Sequence, residues 1–164
     1  MVIMKDLQKL AKECIADLTS ARMRIRTVRN WIIGTNKKNL WGLCQTVGDG
    51  VFDISISEIL LQDDVDDQQV KNTIAHELLH TVEGCMNHGR YWHKLARLIN
   101  ERCPQYSIKD RTSAEEKGIH IEYKYILQCN KCGAQAGRHR RSRFVDHPEN
   151  YICSKCGGKF ERIL

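Results

Sequence analysis

No uninterrupted apolar run in this chain approaches the roughly 18 residues a membrane-spanning helix needs, so no such span is expected. The opening stretch, Met1 to Lys9, meets charge too early for a secretory signal. A cytoplasmic protein is the simplest expectation. The eight cysteines do not form a disulfide framework. Four make two Cys-x-x-Cys pairs near the C-terminus, which suits metal binding in a reducing compartment. Cys14, Cys44, Cys85 and Cys103 are scattered singly and read as small buried hydrophobes.

At 164 residues, 41% hydrophobic and 28% charged, the composition is that of an ordinary globular protein. The length allows one core of about 110–130 residues and a small appendage. The net charge of +6 conceals a segregation. Residues 5–47 carry nine Lys/Arg against three Asp/Glu, a balance of +6, and residues 48–77 carry one against eight, a balance of −7. Residues 129–164 carry eight against three, a balance of +5. Basic segments flanking an acidic centre point to a polyanion, nucleic acid foremost, although most charge runs are only solvated faces.

The most informative stretch is His76-Glu-Leu-Leu-His80. Val70, Ile74, Leu78 and Val82 recur at helical spacing, so Val70 to Glu83 reads as a helix ending at Gly84. Its two histidines, four apart, share one face and can share one zinc ion. Glu77 beside them can hold the water that zinc activates, the pattern of a zinc hydrolase and usually a metalloprotease.

Around that helix the chain reads as α+β. Leu7, Leu10, Ala11, Cys14, Ile15 and Leu18 form an apolar stripe over residues 4–19. Arg22, Arg24, Arg26 and Arg29 follow, on a continued helix or an edge strand, with a basic face exposed either way. A strand through Arg29–Ile33 ends at Gly34, and Thr35–Asn39 is a turn. Leu40–Val47 and Val51–Ser57 flank Gly48-Asp-Gly50, a hairpin signal. Ile54 and Ile56 alternate with Asp53, Ser55 and Ser57 as in a half-buried strand. A short helical turn, Glu58–Leu61, precedes the acidic loop Gln62–Asp67, where Asp66 with Gln69 resembles a capping pair. A second helix spans Arg90 to about Arg102, with Trp92, Leu95, Ala96, Leu98 and Ile99 on its buried side. The expected domains are 1–110 around the zinc helix, a polar linker at 111–118, and 119–164, with a strand over 119–128 leading into the cysteines.

A catalytic zinc takes a third protein ligand. The candidates are His88, His93 and Glu101. The long HExxHxxGxxH pattern requires histidine at position 86, which is Met86, so that class is excluded. Taken with His88-Gly-Arg-Tyr-Trp92, the His76–His80 motif resembles the SprT-like family. Trp41-Gly-Leu-Cys44 and Ile54–Leu61 look like that family's hairpin and the strand entering its short helix. The resemblance implies a zincin-like minimal metalloprotease domain, helices packed on a small sheet, followed by a small zinc ribbon. It implies His88 as the third ligand and Glu77 as general base. It further implies a zinc metalloprotease that hydrolyses DNA-associated or DNA-crosslinked proteins, as in DNA repair.

Cys129-Asn-Lys-Cys132 and Cys153-Ser-Lys-Cys156 are spaced for a four-thiolate structural zinc. The expected cofactors are therefore two zinc ions, one catalytic and one structural. Between the pairs lie Arg138, Arg140, Arg141 and Arg143, near the aromatics Tyr125, Phe144 and Tyr151. These suit phosphate contacts and base stacking, with DNA as the expected partner beside a protein substrate. The competing reading is a non-catalytic, zinc-containing nucleic-acid-binding protein. The intact Glu77 disfavours it, since a structural zinc needs no such carboxylate. A small-molecule metallohydrolase has the least support.

Overall fold

The computed structural model describes residues 4–35 and 40–164, so most of the turn expected at Thr35–Asn39 lies outside the described residues. The chain divides into two compact units, Met1–Ile119 and His120–Leu164. Both are small α+β arrangements.

The first unit opens with helix α1, Leu7–Ser20, capped by Asp6, whose carboxylate accepts the Lys9 N–H at 3.0 Å. Its apolar stripe packs on the central helix, and Cys14 is fully buried there as a small hydrophobe. The helix does not run on through the arginines. The Ala21 N–H closes it on Asp17 O, Arg22 takes a left-handed φ of 62°, and strand β1 begins at Thr27 and ends at Ile33. Two of the arginines find carboxylates within the fold. Arg26 meets Glu83 at 3.0 Å, and Arg29 grips Asp53 through two bonds of 3.2 and 2.8 Å. The N-terminal basic excess is thus partly spoken for.

Strands β2, Gly42–Gly48, and β3, Val51–Ile56, form the expected antiparallel hairpin, and β1 runs parallel to β3 on its other side. The order β1-β3-β2 makes β3 central and leaves β2 with a free edge. Here the alternation in β3 misleads. Asp53, Ser55 and Ser57 are buried along with Ile54 and Ile56, and Arg29 and Asn30 of the neighbouring strand close over Asp53. Asp53 tolerates this through Arg29 and Asn30, the latter donating at 3.1 Å.

The 3₁₀ turn Glu58–Leu61 buries Leu60 and Leu61 and leads to helix α2, Asp67–His80. Asp66 caps it by accepting the Gln68 N–H at 2.8 Å, rather than pairing with Gln69. The helix ends at His80, before Gly84. The buried Thr81 intervenes, donating to Leu78 O at 2.7 Å and accepting the Arg26 N–H at 3.0 Å. Helix α3, Arg90–Arg102, buries Trp92, Leu95, Ala96 and Ile99.

The stretch 111–118, expected as a linker, belongs to the first unit. Thr112 O accepts the Trp41 indole N–H at 3.0 Å, and Lys117 is buried on α2 against Thr73. Thr112, Ser113, Glu116 and Lys117 make contacts within the unit, while Arg111, Glu115 and part of Glu116 stay in solvent. The segment before it is pinned by Asn100, which accepts the Ile108 N–H at 2.8 Å and donates to the Ile108 carbonyl at 3.1 Å, and by Asn72, which accepts the Ser107 N–H at 2.9 Å.

In the second unit β4, Tyr125–Cys129, pairs with β5, Gln135–Arg138, and β6, Phe160–Arg162. A short helix α4, Arg143–Asp146, lies between β5 and β6. The expected strand over 119–128 is only Tyr125–Cys129. Ile119 belongs to the first unit, and Tyr123 packs over Gly137 without entering the sheet.

Replacing Asn100 by Ala leaves the buried Ile108 backbone groups without partners, and should cost about 1–3 kcal/mol. Denaturant unfolding at constant m-value reads this directly; an unchanged midpoint would refute the pinning role.

Candidate metal centres

Helix α2 carries His76, Glu77 and His80 on its cleft-facing side. The chain after Gly84 returns His88 to the same place, where Asn87 turns the backbone by accepting the Gly89 N–H at 3.0 Å just before α3. The three Nε2 atoms converge, with separations of 3.3 Å (His76–His80), 3.2 Å (His80–His88) and 2.9 Å (His88–His76).

The other ring nitrogens explain the orientation. His76 Nδ1 lies 2.8 Å from Lys109 O, and His80 Nδ1 lies 2.6 Å from Cys85 O. A carbonyl only accepts, so each Nδ1 carries the proton and each Nε2 presents a bare lone pair. Burial pushes His76 down to about 4 and lowers His80 and His88 as well, keeping the rings neutral. The fully buried Trp92 ring lies 4.6–5.7 Å from all three imidazole centroids. Lone pairs facing one another at these distances repel unless a cation stands among them. Tetrahedral zinc with bonds of about 2.0–2.1 Å places its ligand nitrogens about 3.3 Å apart, so the set fits that ion. The carbonyl partners are the outer contacts that such ligands require.

Glu77 is 6% exposed, accepts the backbone N–H of Cys44 on β2, and is pushed by burial up to about 8. A cation at the imidazoles would oppose that rise. Gly42 is required here. A Cβ at that position would come within 2.5 Å of Glu77 Oε1, so any side chain would displace the carboxylate. The free edge of β2 therefore passes directly over the glutamate. These residues line a cleft of about 560 Å³, whose far wall comes from residues 107–117.

The three candidates for the third ligand now separate. His76, His80 and His88 form the only histidine group among the described residues with metal-binding geometry, while His93 and Glu101 are exposed on α3 and outside it. Sequence reasoning does not reach Gly42, the Lys109 carbonyl or Lys117. Trp41-Gly42 carries a signal for the first, since glycine beside a bulky residue in a strand marks close backbone approach. Lys117 has no local signal.

In the second unit the four thiols of Cys129, Cys132, Cys153 and Cys156 lie within 4.8 Å of one another. Each pair sits on the same turn, with Gly133 N–H bonding Cys129 O at 3.0 Å and Gly157 N–H bonding Cys153 O at 2.8 Å. The backbone N–H groups of Cys132 and Lys131 hold the Cys129 thiol at about 6, which favours the thiolate a metal needs. Sulfur separations of 3.5 and 3.7 Å are close to the roughly 3.8 Å expected for tetrahedral zinc with bonds of about 2.3 Å. The four arginines are exposed between the pairs, Arg138 ending β5, Arg140 and Arg141 on the loop, and Arg143 opening α4. Arg141 pairs with Asp146 at 2.9 Å, and Arg138 lies over the Phe144 ring at 5.1 Å. Phe144 itself packs on Tyr151 and Phe160.

The sequence model of the SprT-like family matches residues 7–113, from the start of α1 through all three histidines and the Lys109 carbonyl behind His76. That is well over half of the chain, and the chain belongs to the SprT-like family.

Proposed function

We propose that the protein is a zinc-dependent metallopeptidase with a zincin-like catalytic unit, acting on proteins bound or crosslinked to DNA. The observation that carries the catalytic part is Glu77, a buried carboxylate in the same cleft as three converging imidazole lone pairs. A purely structural metal needs no such neighbour, which counts against a non-catalytic nucleic-acid-binding protein.

Zinc held by His76, His80 and His88 would supply a Lewis acid and an acidified water near neutral pH. The chain's own residues do the rest. Glu77 accepts the proton of the attacking water and passes it to the departing amine. Cys44 N–H fixes one carboxylate oxygen, and Gly42 leaves room for it. The free edge of β2 offers backbone donors and acceptors along which an extended peptide can lie. Trp92 keeps one side of the imidazoles dry, and Lys109 O and Cys85 O hold two rings in register.

The DNA part rests on the exposed arginine loop between the cysteine pairs. Arg140 and Arg143 are the strongest candidates for phosphate contacts. Arg141 is partly neutralised by Asp146, and Phe144 is committed to internal packing, which weakens the case for base stacking by that ring.

Glu77→Gln should retain zinc and lose cleavage of a DNA-bound protein substrate, assayed with and without DNA; wild-type turnover by this variant would end the assignment. Elemental analysis should find two zinc ions per chain, matching the two ligand groups. Cys153→Ser should remove one of them and unfold the ribbon, which is too small to fold without its metal. Replacing Arg140, Arg141 and Arg143 together should weaken DNA binding and lower the salt slope by about 2–3. Unchanged affinity at low salt would remove the loop from the interface.

A further inference from the structure

The cleft holds a buried cation that the hydrolysis does not use. Lys117 ends the 3₁₀ turn Glu115–Lys117 and is 3% exposed. Its Nζ donates to Thr73 Oγ1 at 2.7 Å and lies 6.0 Å from the Trp41 ring centroid. The backbone fixes where it emerges. Gly118, at φ 69°, lets the Gly118 N–H reach Glu115 O at 3.0 Å and the Ile119 N–H reach Ala114 O at 2.8 Å. These two bonds close the turn in a form that other residues adopt with strain.

No carboxylate neutralises this ammonium in the ion pairs of the described residues. The adjacent Glu116 acts on it only at a distance, its oxygens being bonded to Lys109 Nζ at 2.7 Å and to the Ser113 N–H at 2.8 Å. The Thr73 hydroxyl donates onward to Gln69 O at 3.2 Å, so it serves Lys117 only as an acceptor. That uses one of the three ammonium donors. A buried charge without a counter-ion is costly. Burial lowers Lys117 to about 8, which still leaves it mainly charged at neutral pH.

Its place in the cleft gives the charge a role. Thr73 precedes Glu77 by four residues on one face of α2, about 6 Å along the helix axis. Lys117, Thr73, His76 and Glu77 all line the same cleft. An extended peptide covers such a distance in about two residues, at about 3.3 Å each, so one peptide can meet both the imidazoles and Lys117.

We infer that Lys117, held by Thr73 and Trp41, is a specificity-determining residue that receives a carboxylate of the bound peptide, either an acidic side chain or a free C-terminus. This rests on the peptidase reading and names the substrate class for that site. The carboxylate supplies the missing counter-charge, and an uncharged amide of the same shape does not.

Paired peptides give the test. One arm compares Asp or Glu with Asn or Gln at each position around the scissile bond, and the other compares a C-terminal acid with its carboxamide. Wild-type kcat/KM should favour the carboxylate by about tenfold or more in one arm, which identifies its source. Lys117→Met should bring the ratio to about one, while Lys117→Arg should keep its sign. The same peptides are titrated against zinc-loaded Glu77→Gln by fluorescence anisotropy, where the Kd ratio should show the same preference. Cleavage by wild type with a ratio near one in both arms overturns the inference and leaves the peptidase reading intact, without recourse to any Lys117 variant. Preferential binding of the carboxylate peptide by Glu77→Gln, with no cleavage by wild type, overturns the peptidase reading and leaves the subsite standing.

Discussion

Three imidazole lone pairs brought within 3.3 Å of one another set the terms for the first unit. The arrangement fits a cation between them and calls for protons on the far nitrogens of His76 and His80. The far nitrogens in turn require acceptors from chain outside α2. Cys85 O and Lys109 O meet that need, one from the loop after the helix and one from the segment beyond α3. Much of the remaining fold keeps those carbonyls in place. Asn100 and Asn72 tie down the segment leading to Lys109, and Trp92 packs under the rings. The burial that makes the histidines neutral also raises the Glu77 carboxyl, so a single dry environment acts on the imidazoles and the carboxylate alike.

What is legible in the sequence follows from how local its cause is. The i, i+4 histidines, the α1 stripe, the Asp-Gly hairpin and the cysteine spacing are each set by a few neighbouring residues, and each is found in the structure. The errors have non-local causes. Alternation makes Ser55 and Asp53 look solvent-facing because it is a local pattern, whereas their burial depends on side chains of neighbouring strands, Arg29 and Asn30 of β1 over Asp53. Gly84, a common stop signal, suggests an α2 terminus three residues beyond the actual one. Thr81 ends the helix earlier by bonding to Arg26, far away in sequence. His88 is told from His93 and Glu101 in the sequence only through resemblance, since the loop that returns it is not periodic.

The largest difference between sequence and structure concerns residues 111–118. A polar, charged stretch without periodicity has the composition of a linker, and composition says nothing about pairing. Here part of the polarity is spent internally: Glu116 takes Lys109 and the Ser113 backbone, and the Thr112 carbonyl takes the Trp41 indole. The stretch becomes the second wall of the cleft, facing α2 and the free edge of β2. The two walls differ in kind. One is regular secondary structure that carries His76, Glu77 and His80, and the other is irregular chain that lines the cleft with side chains and carbonyls.

That division has a consequence for where the chain can be severed. All three histidines and Glu77 lie before residue 89, yet the unit that holds them continues to Ile119. A break within 111–118 would spare all three histidines and the Lys109 carbonyl, which Asn72 and Asn100 keep pinned, while detaching Lys117. The histidine cluster and the buried lysine that shares its cleft are carried on separable lengths of polypeptide. A nick at this one place parts them without altering a single histidine of the cluster.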